Sequence, residues 1–304
     1  MNKRVVVIGG GITGLTALRQ IRQRSPGTEA ILLEAAPRLG GKILTSDFLG
    51  RPIDEGADAF ITRVPWAIDL CKELGLNAAM TSPATSSAFV LINSELRKLP
   101  AGLVLGVPTK FFPLVKSRIV SPLAALRAGF DRFLPDDWPG DDESVGGLIR
   151  RRMGDQIAER LVDPLIGSIN AGDTDHLDAA LTAPQLETAA RRNRSLILGL
   201  REQSKLGSRT ATPVFMGLEN GMSHLTETLV SSLAGSDIRT GIPAKSVEVD
   251  GDKLKVVTDG VSFDSEAVVV ATPAHQTARL LSSCQGAAER LSSIEHASVA
   301  LVTL

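Results

Sequence analysis

The 304-residue chain is 43% hydrophobic, and its 33 basic and 34 acidic residues leave a formal net charge of −1. This composition supports a hydrophobic core and argues against a nucleic-acid partner, while the length favours two domains. Cys71 and Cys284 fit no disulfide framework or metal motif and the four histidines form no ligand pair, so we predict no metal and a reducing, cytoplasmic setting.

The amino-terminal segment has the pattern of a nucleotide-binding βαβ unit. Residues 5–8 are an apolar, β-branched run typical of a strand buried on both faces. A helical pattern begins at Ile12 and stops at residues 25–27, Ser-Pro-Gly. A second apolar run, residues 30–33, ends in Glu34. Strand, helix, second strand and acid together favour a dinucleotide site over the alternative, a simple glycine-rich turn.

The turn before this helix carries G-x-G-x-x-G at Gly9, Gly11 and Gly14. Gly9 permits the tight turn, Gly11 lets the backbone approach a pyrophosphate, and Gly14 lets the helix pack closely on the sheet. Glu34 is expected to accept hydrogen bonds from a ribose and to disfavour NADP. The predicted nucleotide contacts are Gly9, Gly10, Gly11, Ile12, Thr13, Gly14 and Glu34.

Residues 34–42, Glu-Ala-Ala-Pro-Arg-Leu-Gly-Gly-Lys, resemble the extended fingerprint of the FAD-dependent amine oxidase and desaturase superfamily. The resemblance implies FAD as the cofactor, with Glu34 on the adenosine ribose. Arg38, Gly40 and Gly41 would lie along the pyrophosphate and ribityl chain, where glycines admit an anion and the arginine adds positive charge. The alternative is a surface loop with a Gly-Gly turn.

The rest of the chain predicts helices between two groups of strands. A strand is expected at 89–92, and strands return at 246–249, 254–258 and 267–271. Between them the sequence is helical and irregular: Ser144 is expected to cap one helix, and Asp155 to begin another. The second helix is predicted to bury one face, formed by Ile157, Leu161, Val162 and Leu165.

We therefore predict an α/β fold, with a discontinuous Rossmann-like FAD-binding domain, an inserted α+β substrate domain and a helical subdomain. The FAD-binding domain is expected at 1–75 and 216–285. The substrate-binding and helical region is expected at 76–215. Residues 286–304 are expected to start a returning substrate-domain segment, in which 297–304 alternate as a strand does.

Several further motifs resemble the oxygen-dependent protoporphyrinogen and coproporphyrinogen III oxidases of haem synthesis, in their bacterial Gram-positive form. Besides the two superfamily motifs above, the resemblance rests on residues 54–60, 106–110, 150–155, 163–173, 194–200 and 221–225. The family often has Gly-Pro where this chain has Gly56-Ala57, and an aromatic residue where it has Asn170. These departures concern substrate contacts rather than the class of protein.

The family normally continues well beyond the length of this chain and closes with a glycine-rich segment that touches the flavin. We therefore expect the chain to be an amino-terminal fragment of a longer protein. A naturally short variant is the alternative.

The resemblance implies that an FAD-dependent oxidoreductase converts a porphyrinogen to the porphyrin in three two-electron steps, with O2 as acceptor and H2O2 as product. Coproporphyrinogen III is favoured over protoporphyrinogen IX. No catalytic side chain is assigned, because the flavin accepts the hydride. The alternatives are another amine oxidase, a carotenoid-type desaturase, or a non-catalytic binding protein on the same fold.

By the same resemblance, Glu55, Gly56, Ala57 and Asp58 pass beside the isoalloxazine ring, and Ala244 binds adenine through its backbone. Asp58 is otherwise a turn or helix cap. Arg63 would pair with a substrate propionate; the alternative is a solvated arginine.

The arginine clusters 150–152 and 191–194 are either charged helix faces or a surface for anionic porphyrinogen or lipid. In the second interpretation the protein touches the cytoplasmic face of a membrane peripherally, without a membrane span. Its apolar side would be Leu103, Leu105, Phe111, Phe112 and Leu114.

Overall fold

The computed structural model describes residues 3–85, 87–134, 140, 142–207 and 213–302. By its internal contacts the chain divides into two compact units, which we call the nucleotide unit (1–83 with 213–304) and the inserted unit (84–212). The boundaries differ from the expected 75/76 and 215/216 because Met80–Thr81 pairs with Phe215–Leu218, which keeps both segments in the nucleotide unit. Residues 286–304 also group with that unit rather than starting another.

Strands lie mainly at the two ends of the described chain. In chain order they are β1 (Arg4–Ile8), β2 (Glu29–Leu33), β3 (Thr45–Phe48), β4 (Arg51–Asp54), β5 (Phe60–Ile61), β6 (Met80–Thr81), β7 (Phe89–Ile92), β8 (Glu95–Lys98), β9 (Leu103–Val104), β10 (Val107–Pro108), β11 (Phe215–Leu218), β12 (Asp237–Arg239), β13 (Ala244–Asp250), β14 (Lys253–Thr258), β15 (Ser262–Ser265) and β16 (Ala267–Val270).

Helices dominate the inserted unit. The α-helices of both units, in chain order, are α1 (Ile12–Arg24), α2 (Trp66–Glu73), α3 (Phe111–Ser117), α4 (Pro122–Gly129), α5 (Val145–Met153), α6 (Asp155–Ile157), α7 (Ser168–Asn170), α8 (Ala179–Thr182), α9 (Pro184–Arg192), α10 (Leu196–Gly207), α11 (Ser223–Ser232), α12 (Ala274–Leu280) and α13 (Gln285–Ser292).

The nucleotide unit is built on a parallel sheet with strand order β12-β2-β1-β16. Side chains alternate across β1: Val7 packs with Leu15 and Leu18 of α1, while Val6 and Ile8 pack with the antiparallel β13-β14-β15 sheet. Since both faces are covered, residues 5–8 of the strand are all apolar. The predicted α/β fold with a discontinuous Rossmann-like part is confirmed, since β16 returns from late in the chain to pair with β1.

The inserted unit has its own core, formed mainly by α4, α5, the helical segment Ala158–Gly167, α9 and α10. Asp131 is fully buried in this unit, and its carboxylate accepts hydrogen bonds from Arg152 Nε (2.8 Å), Ser195 Oγ (2.7 Å) and the Ile197 amide (3.0 Å). A buried ion pair is stable when further hydrogen bonds satisfy its remaining polar atoms. This cluster therefore joins the 3-10 turn Phe130–Phe133 to α5 and α10.

Two sequence-based expectations need correction. Ser144 caps α5 as predicted, but the helix from Asp155 continues as a π-helix over Ala158–Gly167. The wider turn and the internal Pro164 bury Ile166, and leave Leu165 only half-buried. Residues 297–302 form no strand, because they pair with no described segment; residues 303 and 304 lie outside the described part of the chain.

In the parts of the chain described above, no helix is long and apolar enough to cross a membrane.

Candidate functional site

The candidate site lies where the parallel strands of the nucleotide unit end. The Gly9 amide donates to Leu33 O (2.8 Å), the Ala271 amide to Ile8 O (2.8 Å), and the Glu34 amide to Arg239 O (2.9 Å). The turns after four strands therefore meet at one edge of the sheet. The carboxyl edge of such a sheet is where ligands bind in open α/β folds.

The turn after β1 depends on two glycines. Gly9 has φ +110°, which strongly favours glycine, and a Cβ there would lie 2.6 Å from Ala271 O. A Cβ on Gly14 would lie only 1.8 Å from Gly9 O. Helix α1 can therefore begin directly above the strand only if residue 14 has no side chain.

Gly11 differs from these two glycines, because a Cβ at this position would have room. Its backbone is extended (φ −75°, ψ 179°), and the nearest atom to a Cβ there would be Gly41 Cα at 3.8 Å. Gly40 and Gly41 lie alongside through a parallel bridge, with the Gly40 amide donating to Gly10 O (2.9 Å). Two stretches of bare backbone thus adjoin each other at the beginning of α1.

These segments surround a cleft of about 960 Å³. Small-molecule pockets occupy ~300–1,000 Å³, so the cleft is large enough for an extended ligand. Its lining residues are Ile8, Gly9, Gly11, Ile12, Thr13, Leu33, Glu34, Ala35, Gly40, Gly41, Lys42, Ile43, Ile242, Ala244, Lys245, Val270, Ala271, Thr272, Pro273, Gln276, Arg279 and Leu280.

Glu34 lies in the cleft, where its carboxylate is already hydrogen-bonded. Oε2 accepts from the Gly10 amide (2.5 Å) and Oε1 from the Ala36 amide (2.7 Å). The acid therefore holds the glycine turn and its own loop in place. Each carboxylate oxygen has two acceptor sites, so both oxygens retain capacity for a ligand hydroxyl.

Arg38 is placed differently from the sequence-based expectation. Its guanidinium donates to the main-chain carbonyls of Gly41 (2.7 Å) and Leu39 (3.3 Å), and it is not among the residues that line the cleft. In this structure Arg38 braces the Gly40–Gly41 loop. A direct contact with pyrophosphate stays a prediction.

The predicted ring-side segment lies outside the cleft. Glu55, Gly56, Ala57 and Asp58 are exposed, and they follow the β3–β4 hairpin. A Cβ on Gly56 would lie 2.8 Å from the main-chain oxygen of Lys42, which does line the cleft. The segment is therefore adjacent to the site through backbone contact, and its role beside a flavin ring is not tested by the geometry.

Of the two remaining predicted residues, Ala244 lines the cleft and Arg63 does not. Ala244 begins β13, next to a register shift in its pairing with β14, and lines the cleft. Arg63 is exposed and does not line it.

Sequence reasoning missed the segment after β16. Ala271, Thr272 and Pro273 line the cleft, as do Gln276 and Arg279 from α12. Predicting β16 as a buried parallel strand was the available signal, because the residues after such a strand lie at the ligand-binding edge. Without the strand order, however, its position beside β1 is unknown.

An adenine dinucleotide fits this site. The first amides of a helix have no intrahelical partner and carry partial positive charge, and no side chain caps α1. The bare backbone of Gly11 and Gly41 leaves the space that a pyrophosphate needs, and Glu34 stands where a ribose would follow.

The sequence of this chain matches the protein-family model of the flavin containing amine oxidoreductases over residues 12–303. The chain belongs to this family. FAD is its cofactor, as predicted, and the likeness to porphyrinogen oxidases is also confirmed by individual relatives.

A coproporphyrinogen III oxidase from Bacillus subtilis is 36% identical over 99% of this chain, and one from Staphylococcus aureus is 31% identical over 91%. A structure described as a candidate protoporphyrinogen oxidase, from Exiguobacterium sp. 255-15, has a TM-score of 0.79 at 30% identity over 93% of the chain. The chain spans 66%, 61% and 62% of these three proteins, respectively.

Adding one methyl group should have different effects at Gly14 and at Gly11. We expect Gly14→Ala to lower the melting temperature of the flavin-free protein, because the Cβ would collide with Gly9 O. Gly11→Ala has room and an ordinary φ, so it should leave that temperature unchanged. It should nevertheless weaken FAD binding at least about tenfold, or ~1.4 kcal/mol, by filling the pyrophosphate space. Thermal denaturation and FAD titration measure the two effects. Full FAD affinity in Gly11→Ala would contradict this assignment.

Proposed function

We propose that the protein oxidises a porphyrinogen to the corresponding porphyrin in haem synthesis, with coproporphyrinogen III preferred to protoporphyrinogen IX. Molecular oxygen is the final acceptor and hydrogen peroxide the product. The main support is the identity with coproporphyrinogen III oxidases over almost the whole chain, combined with an intact nucleotide cleft. The relatives are longer than this chain, so the reaction is proposed for the full-length protein.

When bound, FAD supplies the electron acceptor for each two-electron step. The protein's own contribution is to bind and orient. We propose that the amides at the start of α1 and the backbone of Gly11 and Gly41 hold the pyrophosphate, and that Glu34 accepts a ribose hydroxyl. The full set proposed for FAD is Gly9, Gly10, Gly11, Ile12, Thr13, Gly14, Glu34, Arg38, Gly40, Gly41, Glu55, Gly56, Ala57, Asp58 and Ala244.

We place Glu55–Asp58 on the ring side of this set. The support is local: a Cβ on Gly56 would lie 2.8 Å from the main-chain oxygen of Lys42, a residue of the cleft, and small residues at 56 and 57 leave the backbone accessible. Arg63 follows on the exposed surface of the nucleotide unit, where we propose that it pairs with a substrate propionate.

We also infer a cytoplasmic protein that contacts anionic membrane surfaces through the inserted unit. The arginine clusters do not carry this proposal. Arg150 forms ion pairs with Asp155, Glu159 and Asp175, and the hydrogen bonds that it donates to Asp175 contribute most to raising its pKa above the usual range. Arg152 is buried and forms an ion pair with Asp131.

The support comes instead from α3, α4 and the turn that follows them. Phe112, Leu123 and Phe133 expose 85%, 80% and 70% of their surface. Leu114 is buried in the core and Leu103 and Leu105 are half-buried, so these three do not form the apolar side that the sequence indicated. The same segment carries five cations, and an anionic surface attracts positive charge. Lys110, Lys116, Arg118 and Arg132 are exposed, whereas Arg127 is half-buried and donates to the carbonyls of Arg151 and Arg152.

The reaction is tested with the full-length, FAD-loaded protein and either coproporphyrinogen III or protoporphyrinogen IX. We expect porphyrin fluorescence to rise with matching oxygen consumption and peroxide formation, and to rise faster with coproporphyrinogen III. Heat-denatured protein measures autoxidation. A rate no greater than that control with both substrates, in protein that shows bound flavin absorbance, would overturn the proposed reaction.

Glu34→Ala should weaken FAD binding by ~1–3 kcal/mol, the worth of a hydrogen bond to a charged group, which corresponds to about 5- to 150-fold in Kd. Glu29→Ala is the matched control, since this exposed acid at the opposite end of β2 forms an ion pair with the surface side chain of Arg4 and does not line the cleft. FAD titration of the flavin-free variants measures the effect. Equal affinity in the two variants would remove Glu34 from the site.

Membrane contact is tested by co-sedimentation with phosphatidylglycerol and phosphatidylcholine vesicles. We expect binding to the anionic vesicles alone, weakened by salt and by the double variant Phe112→Ser/Leu123→Ser. Phe48→Ser, which changes an exposed aromatic residue of the nucleotide unit, should have no effect. Equal binding of the wild type and the double variant would show that this face is not the contact.

A further inference from the structure

The inserted unit contains a second pocket, of about 290 Å³, and none of the residues that line it is assigned a role in the proposed reaction. It lies between the start of α3, one face of α4 and the first turns of α10. We define the α-pocket by its apolar wall (Phe111, Leu114, Ala125, Ala128, Ile197 and Leu198) and by three cations (Lys110, Arg132 and Arg201).

The α-pocket is hollow because α4 presents small residues to it. Ala125, Ala128 and Gly129 are spaced to share one helix face, and a Cβ on Gly129 would approach nothing closer than the Phe111 ring at 3.9 Å. Leu114 and Ala125 are almost fully buried. The floor of the α-pocket is therefore buried, and the pocket opens to the surface beside the exposed side chains of Lys110, Phe111 and Arg132.

The polar groups in its wall are already satisfied. Ser195 Oγ donates to Asp131 (2.7 Å), and Thr109 Oγ1 donates to Gly102 O (2.6 Å). The interior therefore offers a ligand apolar contact rather than hydrogen bonds. At ~30 Å³ for a water-sized group, a volume of about 290 Å³ accommodates roughly ten such groups, such as the carbons of a medium-length acyl chain.

The charged groups are of one sign. Lys110, Arg132 and Arg201 line the α-pocket and are exposed, whereas no acidic residue of the described chain lines it. Lys110 and Arg132 form no ion pair with any described residue. Arg201 is held in place, because its Nε–H donates to Thr109 O (2.6 Å). Buried Asp131 likewise fixes the turn that carries Arg132.

We propose that the α-pocket binds an acyl chain with an anionic head group. The chain occupies the space beside Ala125 and Ala128, and the head group lies between the guanidinium groups of Arg132 and Arg201 and the ammonium of Lys110. Arginine and lysine suit a carboxylate or a phosphate equally, so a free fatty acid and an anionic phospholipid share the chemistry. The site is argued independently of porphyrinogen oxidation, and it shares Lys110 and Arg132 with the cations of the proposed membrane contact.

The test is calorimetric titration of the FAD-loaded, full-length protein with decanoate, which is a monomer at working concentrations. Decanol tests the chain without the charge, and acetate the charge without the chain. We expect decanoate to bind at least about tenfold more tightly than either. Dihexanoylphosphatidylglycerol, in monomeric form, tests the phospholipid source; binding of this lipid in place of decanoate would also support the site and would identify the source.

Variants separate the pocket from the surface around it. Ala128→Leu fills the space and should abolish binding of the chain. The double variant Arg132→Gln/Lys110→Gln leaves the apolar wall intact and should weaken decanoate at least about tenfold while sparing decanol. Lys116→Gln, an exposed cation of α3 that does not line the α-pocket, is the control and should bind decanoate normally.

The proposal fails if neither decanoate nor the phospholipid binds at millimolar concentration. It also fails if Ala128→Leu, with wild-type FAD content, binds them as the wild type does. Porphyrin formation is measured in the same preparations, so failure of this site is distinguishable from failure of the proposed reaction.

Discussion

The nucleotide unit depends on one close approach, that of helix α1 to the turn before it. The carbonyl of Gly9 lies where a side chain of Gly14 would begin, at 1.8 Å from the position of its Cβ. Because this contact is permitted, the helix starts at the edge of the sheet and points its free amides outward. The Gly40–Gly41 loop lies against Gly11 through a parallel bridge, and Ala271, just after β16, lies beside Gly9 because residue 9 has no side chain. The cleft is formed by these backbone arrangements rather than by any single ligand-binding side chain.

Local patterns sufficed for the part of the site that is contiguous in sequence. Gly9, Gly11, Gly14 and Glu34 fall within one βαβ unit, whose spacing determines their geometry, and the structure brings them to one cleft. The wall after β16 was not predicted, because its place depends on strand order, which joins residues more than two hundred and fifty positions apart. Arg38 shows another limit: its charge was foreseen, but not that nearby carbonyl groups would bind it.

The inserted unit was predicted less well, for a different physical reason. Sequence patterns assume that charged residues are exposed, and Asp and Arg rarely are fully buried unless they are paired. Asp131 and Arg152 form an ion pair inside the core. One arginine of the cluster 150–152 is therefore buried, although the sequence pattern indicated an exposed, charged helix face. The π-helix changed the period of burial, which moved Leu165 partly out of the core and Ile166 into it. Neither change leaves a local signal that a helical period of 3.6 residues would reveal.

Glu34 connects the folding of the site to its use. Its carboxylate accepts hydrogen bonds from the amides of Gly10 and Ala36, so the residue that faces the ligand also fixes the glycine turn. Acceptor sites remain on the same oxygens, so a ribose hydroxyl adds to these bonds without displacing them. A ligand that binds only the folded chain stabilises it by mass action. Glu34 is therefore expected to contribute to stability twice, once through the loop and once through the cofactor, and the two contributions separate only when the flavin-free and loaded proteins are compared.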